Sequence, residues 1–138
     1  DFMIDFFDGE YAFLSNFYDS PITYEGINYP TVEHAFQAAK SMDSSVRKTI
    51  ANMDTPGKAK RAGRKVELRS DWETVKFDVM KELVTLKFQI PELREKLKAT
   101  GDAELIEGNT WKDTCWGVCN GKGSNNLGKI LMEVRKTI

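Results

Sequence analysis

The chain has 138 residues, 41% of them hydrophobic and 30% charged, and its 20 basic and 21 acidic residues leave a net charge of −1. This length fits one domain with a single core, which we expect to span residues 1–138. The balanced charge excludes a protein that binds nucleic acid mainly by nonspecific attraction to phosphates. Its apolar stretches are too short to cross a membrane and its N-terminus lacks the basic region of a signal peptide, so we expect a cytoplasmic protein without membrane contact.

Soft metal ligands are scarce in this sequence. Cys115 and Cys119 are the only cysteines, and His34 is the only histidine. This set is too small for a tetrahedral zinc site, so we expect neither a metal nor any other cofactor. A disulfide is not needed at this length, which favours a reducing compartment.

The N-terminal segment combines aromatic residues with a polar interruption. Residues 2–7 are mostly apolar and predict a short strand that enters the core. Residues 13–18 form an aromatic run that Ser15 and Asn16 interrupt, which predicts a turn or a bulge. Asn16 is therefore either a turn residue or a polar group aimed into a pocket, and we favour the turn.

A hairpin followed by a helix comes next. Residues 22–24 and 27–29 predict the two strands of a tight hairpin, with Gly26 at a positive φ in the turn. A proline ends the second strand, and Thr31 is a good N-cap. We therefore predict a helix from Thr31 to about Met42.

This helix carries an unusual polar stripe. Glu33, Phe36, Gln37 and Lys40 have the spacing i, i+3, i+4 and i+7, which places them on one helix face. Either the helix is exposed with scattered charges, or the stripe lines a cleft. Glu33 also has a purely structural explanation, because the helix dipole stabilises a carboxylate in the first turn. His34 is rotated about 100° from Glu33, so we interpret it as a packing or capping residue.

The remaining elements are predicted to be mostly helical. Five further helices are expected, at residues 45–53, from Pro56 onward, at 71–89, at 91–100 and at 127–136. With the hairpin, they predict a mainly α fold with a small β element (α+β). Ser70 and Glu73 have the spacing of a capping box at the start of helix 71–89. Trp72 lies in its first turn, where a tryptophan is more often a lid on the core than a ligand platform.

The helix that starts at Pro56 carries the one basic cluster of the chain. Its members are Lys58, Lys60, Arg61, Arg64 and Lys65. Such a run usually forms a solvated face. The alternative is a positive rim for a phosphate-bearing ligand. Gly63 beside Arg64 keeps this alternative open, since a glycine lets a ligand approach the backbone.

A long loop covers residues 107–126, and loops of this length are usually functional. It carries Trp111, Asp113 and Trp116, and its Gly-Lys-Gly run at 121–123 leads into the last helix. Glycines before a helix start expose N–H groups to a bound anion, although a flexible surface turn is the commoner meaning. Indole rings stack on flat heterocycles. With Glu33, these parts suit cleavage of a ribose–nitrogen bond through an oxocarbenium-like ion.

Several segments resemble the YbiA-like, or NADAR, family in the right order over nearly the whole chain. They are Phe-Leu-Ser-Asn-Phe at 13–17, Tyr-Pro-Thr-Val-Glu-His-Ala-Phe-Gln-Ala-Ala-Lys at 29–40, Asp-Trp at 71–72, Trp-Gly at 116–117 and Gly-Lys-Gly-Ser-Asn-Asn-Leu-Gly at 121–128. The resemblance implies one compact, mainly helical domain and a metal-independent N-glycosidase. Some members of the family hydrolyse phosphoribosylamino-pyrimidine intermediates of riboflavin synthesis, and others act on ADP-ribose attached to guanine. The expected partner is thus a phosphorylated ribosyl compound or ADP-ribosylated guanine in nucleic acid.

The resemblance also implies site residues. Glu33 corresponds to the catalytic carboxylate, and Asp113 would assist in proton transfer or hold the ribose. The substrate-binding residues would be Asn16, Lys40, Arg64, Trp72, Trp116, Gly117, Gly123 and Asn125. Val118 stands where the riboflavin-type member has an acidic residue, which separates this chain from that member. The alternatives are a module that binds ADP-ribose or NAD metabolites without cleaving them, and an interaction domain whose polar stripe is solvated.

Overall fold

Helices dominate the computed structural model, which describes residues 2–138. Within this range, six α-helices are α1 Val32–Ala38, α2 Ser44–Ala51, α3 Pro56–Gly63, α4 Trp72–Lys87, α5 Pro91–Ala99 and α6 Asn126–Thr137. The described strands are β1 Met3–Ile4, β2 Ile22–Tyr24, β3 Ile27–Tyr29 and β4 Glu104–Leu105, and a 3-10 helix covers Gly9–Leu14. The predicted fold class, mainly α with a small β element, is confirmed.

The chain divides into two compact units. The middle unit is Asn16–Lys87, and the terminal unit joins the residues up to Ser15 with Phe88–Ile138. Each unit has its own two-stranded sheet, β2–β3 in the middle unit and β1–β4 in the terminal unit. The single domain over residues 1–138 therefore stays a prediction.

The hairpin of the middle unit forms as predicted. β2 and β3 are antiparallel, and Ile22 is paired with Tyr29. Glu25 and Gly26 form the turn with φ of 48° and 83°. Positive φ at both central positions is the type I′ arrangement, whose twist matches that of the paired strands. The positive φ predicted for Gly26 is confirmed, and Glu25 shares it.

Helix α1 lies at the centre of the middle unit, where it packs against α2, α3 and α4. Thr31 is its N-cap, and the Thr31 Oγ1 accepts the His34 N–H at 3.1 Å. Every residue of α1 is buried. The exposed helix with scattered charges is therefore excluded, and the polar stripe lies inside the protein. The helix ends at Ala38, earlier than the predicted Met42.

The long helix α4 buries an apolar face. Val79 and Leu83 are buried, as are their neighbours Met80 and Val84. The predicted capping box at its start is wrong, because α4 begins at Trp72 and its first intrahelical bond runs from the Val75 N–H to the Asp71 carbonyl, so Ser70 is not the N-cap. The Glu73 carboxylate accepts from Lys76 Nζ at 2.6 Å. A lysine, Lys87, is also buried at the end of this helix.

The terminal unit is built around a short parallel strand pair. Met3 and Ile4 of β1 pair with Glu104 and Leu105 of β4. The predicted strand at residues 2–7 is thus reduced to two residues, and α6 packs against β4. Within residues 2–138, no helix combines the length and apolar character needed to cross a membrane.

Candidate active site

Glu33 occupies the first turn of α1 with its side chain buried. Only 7% of its surface is exposed. Gln37 lies one turn later on the same helix, and its Nε2 donates to Glu33 Oε2 at 2.7 Å. The Glu33 N–H donates to the Asn16 carbonyl at 3.0 Å. Burying a carboxylate is costly unless hydrogen bonds stabilise it. Glu33 is therefore a buried, hydrogen-bonded carboxylate and not a solvated surface residue.

Lys40 extends the same stripe beyond the helix end. Its Nζ donates to the Gly63 carbonyl at 3.5 Å. Burial lowers the pKa of Lys40, the negative charge of Glu33 opposes this, and Arg64 and Lys76 lower it further. Lys40 therefore lies within electrostatic range of both the buried carboxylate and the basic cluster.

Trp72 is packed at the start of α4. It is buried, and its ring centroid lies 5.1 Å from that of Phe36 at an interplanar angle of 53°. Phe36 belongs to the polar stripe of α1, so the indole is next to the helix that carries Glu33. Trp72 thus contributes to the core, as expected for a lid, and is also close to the stripe.

Asn16 contacts α1 from a loop, and Arg64 acts electrostatically on Lys40 from the end of α3. Asn16 lies in a turn, its carbonyl accepts from the Glu33 N–H, and its Nδ2 lies 3.5 Å from Met80 Sδ. The turn expected at Asn16 is confirmed. Arg64 is the exposed C-cap residue of α3, and its charge acts on Lys40.

Both ring nitrogens of His34 are engaged inside the fold. Nε2 lies 3.0 Å from the Met53 carbonyl, and Nδ1 lies 2.7 Å from Thr31 Oγ1. A carbonyl oxygen only accepts, so Nε2 carries a proton and donates to it, and in the neutral imidazole Nδ1 then accepts from the Thr31 hydroxyl. This agrees with a packing and capping role for His34.

The late loop of the terminal unit is organised by Asn109, a buried residue that the sequence analysis did not single out. Asn109 Oδ1 accepts from the N–H groups of Trp111 and Asp113 at 3.2 and 3.1 Å. Its Nδ2 donates to Glu107 Oε2 and to the Asp113 carbonyl at 3.0 and 2.9 Å. The only available signal was an asparagine in a turn-rich loop, a residue type that often bonds to nearby backbone.

Asp113 is tied to the backbone that follows it. Its Oδ1 accepts from the N–H groups of Cys115 and Trp116 at 3.1 and 2.9 Å. This bonding fixes the direction of the half-buried Asp113 carboxylate and the backbone of Trp116. The carboxylate therefore has a structural role in the loop, whatever else it does.

Glycines in this loop permit close backbone contact. A Cβ at Gly117 would overlap Glu107, and a Cβ at Gly123 would overlap the Gly117 carbonyl. Asn125 bridges the loop to the strand region, since its Nδ2 donates to Leu105 O and its Oδ1 accepts from the Glu107 N–H, each at 3.0 Å. These three residues hold the loop in shape.

The expected anion cradle at the start of α6 is not open at two of its N–H groups. The N–H of Asn126 donates to the Cys115 carbonyl at 3.2 Å, and that of Leu127 donates to the Trp116 carbonyl at 3.0 Å. Loop carbonyls thus satisfy two of the N–H groups that a helix start would otherwise offer to an anion.

The predicted site residues are divided between the two units. The middle unit contains Glu33, Asn16, Lys40, Arg64 and Trp72, and the terminal unit contains Asp113, Trp116, Gly117, Gly123 and Asn125. Within the middle unit they surround one helix, α1. Among residues 2–138, no three His, Cys, Asp or Glu side chains are grouped so that they could hold a metal ion.

Comparison with known proteins identifies the family. The family model of the NADAR domain matches residues 5–138. The chain belongs to the NADAR family. The N-glycosidase YbiA of Escherichia coli (strain K12) is 42% identical over 144 residues, covering 100% of this chain and 89% of the relative. The NMR structure of E. coli YbiA covers 99% of this NADAR chain and 84% of its own, with 41% identity and a TM-score of 0.89.

Other NADAR relatives are more distant. An N-glycosidase of Nostoc punctiforme is 40% identical over 135 residues, covering 93% of this chain and 86% of the relative. A riboflavin biosynthesis protein of Vibrio vulnificus is 38% identical over 135 residues, covering 95% of this chain and 36% of the relative. Identity of this degree over the whole chain makes this NADAR protein an N-glycosidase, a hydrolase of N-glycosyl bonds.

Proposed function

We propose that this N-glycosidase cleaves the ribose–nitrogen bond of a phosphorylated nucleoside-like compound without a metal. The substrate is either a phosphoribosylamino-pyrimidine of riboflavin synthesis or ADP-ribose attached to guanine. The observation that carries the proposal is the buried Glu33 carboxylate, held by Gln37 at 2.7 Å on a helix with no exposed residue. The riboflavin biosynthesis names of two relatives, from Vibrio vulnificus and Zea mays, support the first substrate.

In the proposed reaction, the bond between ribose C1′ and nitrogen breaks and its electron pair leaves with the base. The ribosyl group becomes cationic, and the ionised Glu33 carboxylate stabilises this charge. A water molecule positioned by Glu33 adds its oxygen to C1′ and loses one proton, while the departing nitrogen gains one. Asp113 is proposed to assist this proton transfer or to hold the ribose.

The remaining assignments follow from charge and ring chemistry. Lys40 and Arg64 are proposed to hold phosphate, because Lys40 lies within electrostatic range of both Glu33 and Arg64. Trp72, Trp116 and Asn16 are proposed to contact the base or the ribose. Gly117, Gly123 and Asn125 are proposed to contribute by shaping the loop that carries Asp113. A cytoplasmic location is proposed because both cysteines are free, as is usual in a reducing compartment.

The test is to replace Glu33 with Gln, which keeps the size of the side chain and removes its charge. We expect release of ribose 5-phosphate or ADP-ribose to fall by about 10²- to 10⁴-fold, since the cation loses its stabilising charge. The assay uses both the phosphoribosylamino-pyrimidine and an ADP-ribosylated guanine oligonucleotide, so that it also identifies the substrate. Circular dichroism and thermal unfolding check that the fold is retained.

Glu92→Gln is the matched control, because Glu92 is an exposed glutamate in the first turn of α5. It should leave the rate within about twofold of the parent, as is usual for exposed positions. Full activity of a folded Glu33→Gln variant would show that another group performs the chemistry.

A further inference from the structure

Gln37 is a buried amide whose two ends have different surroundings. Only 6% of the residue is exposed. Its Nε2 donates to Glu33 Oε2 at 2.7 Å. Its Oε1 is buried and has no hydrogen-bond donor among residues 2–138. A buried carbonyl oxygen without a donor costs stability, so its presence in the centre of the fold requires an explanation.

Gly63, the last residue of α3, lies against that oxygen. A Cβ at Gly63 would be 2.6 Å from Gln37 Cδ and closer still to Oε1. The backbone of Gly63 is not among the positive-φ positions, so a turn does not require the glycine here. What requires it is the close approach of the Gln37 amide, whose Oε1 faces the Gly63 α-carbon as in a Cα–H···O contact.

The two glycines of α3 differ in the space around their α-carbons. Gly57 lies in the first turn of the same helix, and a Cβ there would come no closer than 3.9 Å, to Thr55 Oγ1. The same helix therefore contains one glycine that could become alanine without a clash and one that could not. The Gly63 carbonyl also accepts from Lys40 Nζ at 3.5 Å, which places this glycine next to two members of the polar stripe.

We propose that Gly63 and Gln37 act together as positioning residues for Glu33. The Gly63 α-carbon leaves room for the carbonyl end of the amide, and this fixes the N–H end toward the carboxylate. A rotated amide would instead present its oxygen to Glu33, and the two oxygens would repel. The retained donor favours the ionised carboxylate, the form that stabilises a ribosyl cation. This inference rests on the proposed catalytic role of Glu33.

The first experiment compares Gly63→Ala with Gly57→Ala in the release of ribose 5-phosphate from the phosphoribosylamino-pyrimidine and of ADP-ribose from the guanine oligonucleotide. We expect Gly63→Ala to lower kcat by about 10- to 100-fold with a smaller change in KM, because the displaced amide no longer holds the carboxylate. Gly57→Ala should remain within about twofold, since its Cβ meets no close neighbour.

The second experiment removes the amide itself. Gln37→Met keeps the length of the side chain without a hydrogen-bond donor. We expect a lower kcat and an acidic limb of the kcat/KM profile displaced to higher pH, because loss of a donor disfavours the ionised carboxylate. A residue that only fills space would lower stability without moving this limb.

The third experiment tests coupling. In a Gln37→Ala background the amide is absent, so adding Gly63→Ala should lower kcat by no more than about threefold, far less than in the parent. Equal costs of Gly63→Ala in both backgrounds, or an unchanged pH profile in Gln37→Met, would overturn the proposal. If Gly63→Ala does not fold, the pH profile of Gln37→Met decides.

The two proposals fail in different ways. If Glu33→Gln keeps full activity, the catalytic assignment fails. If Glu33→Gln is inactive while Gln37→Met and Gly63→Ala behave like the parent, Glu33 remains the catalytic carboxylate and only the positioning role is wrong.

Discussion

Single residues of α1 serve the fold and the site at once. Glu33 is buried beside Gln37, and its N–H is also bonded to the Asn16 carbonyl. His34, the next residue, bonds through both ring nitrogens to Thr31 and Met53 and belongs to the support of the helix. The two adjacent residues thus have different roles, Glu33 in the site and His34 in supporting the helix, because a helix turns them about 100° apart. The separation of Glu33 from His34 was predictable from this rotation alone.

Lys87 is a buried lysine whose ionisation is strongly affected by burial. It is 1% exposed, and burial lowers its pKa to about 7, with its Nζ 5.7 Å from the centre of the Tyr18 ring. The folded-state pKa lies below the unfolded value, so between about pH 7 and pH 10.5 the unfolded chain binds more protons. Stability should therefore rise with pH across this window, by at most about 1.4 kcal/mol per pH unit, and be lowest below it.

Replacing Lys87 with Met tests this. We expect the variant to exceed the parent in unfolding free energy most at pH 6, with the difference shrinking toward pH 9.5, as measured by urea denaturation. Lys48→Met is the matched control, since Lys48 is an exposed lysine on α2. A constant difference between Lys87→Met and the parent over the whole pH range would contradict the assigned titration.

At the scale of elements, helix starts were more predictable than helix ends. Thr31, Pro56 and Pro91 carry local start signals, and all three helices begin where those signals place them. The end of α1 is set instead by tertiary contacts. The carbonyls of Ala39 and Lys40 accept from Arg69, at 3.4 Å from Nη1 and 2.8 Å from its N–H. A local sequence pattern does not predict a hydrogen-bond partner as distant in sequence as Arg69.

The N-cap of α1 provides a prediction at this scale. Thr31 Oγ1 accepts the His34 N–H at 3.1 Å and also lies 2.7 Å from His34 Nδ1, in a buried position. Thr31→Ala should therefore lower the unfolding free energy by about 2 kcal/mol or more, the loss of a cap combined with an unpaired buried nitrogen. Thr55→Ala removes the exposed cap of α3 and should cost about 1 kcal/mol.

Urea denaturation measures both variants, and Thr31→Ser should recover most of the loss because it restores the hydroxyl. If Thr31→Ala and Thr55→Ala were equally destabilising, the buried His34 contact would contribute nothing.

At the scale of the whole molecule, composition and periodicity were enough for the fold class, and the NADAR motifs were enough for the enzyme class. The supporting contacts were not predictable in the same way. Gln37 was visible on the polar stripe, but its pairing with Gly63 depends on how α1 and α3 approach each other. Asn109 organises the late loop through hydrogen bonds that only the folded backbone defines.

One domain over residues 1–138 remains a prediction, and the three tryptophans allow it to be tested. Trp72 lies in the middle unit, while Trp111 and Trp116 lie in the terminal unit. A Trp111→Phe/Trp116→Phe variant therefore reports on the middle unit by fluorescence, and Trp72→Phe reports on the terminal unit.

If the chain is one domain, each variant should give the same urea midpoint by fluorescence and by far-ultraviolet circular dichroism, because a small single domain unfolds in one cooperative transition. Because Trp72 packs against Phe36, Trp72→Phe should lower the midpoint of both signals together. Fluorescence and circular dichroism midpoints that separate within one variant would show instead that the two units unfold independently.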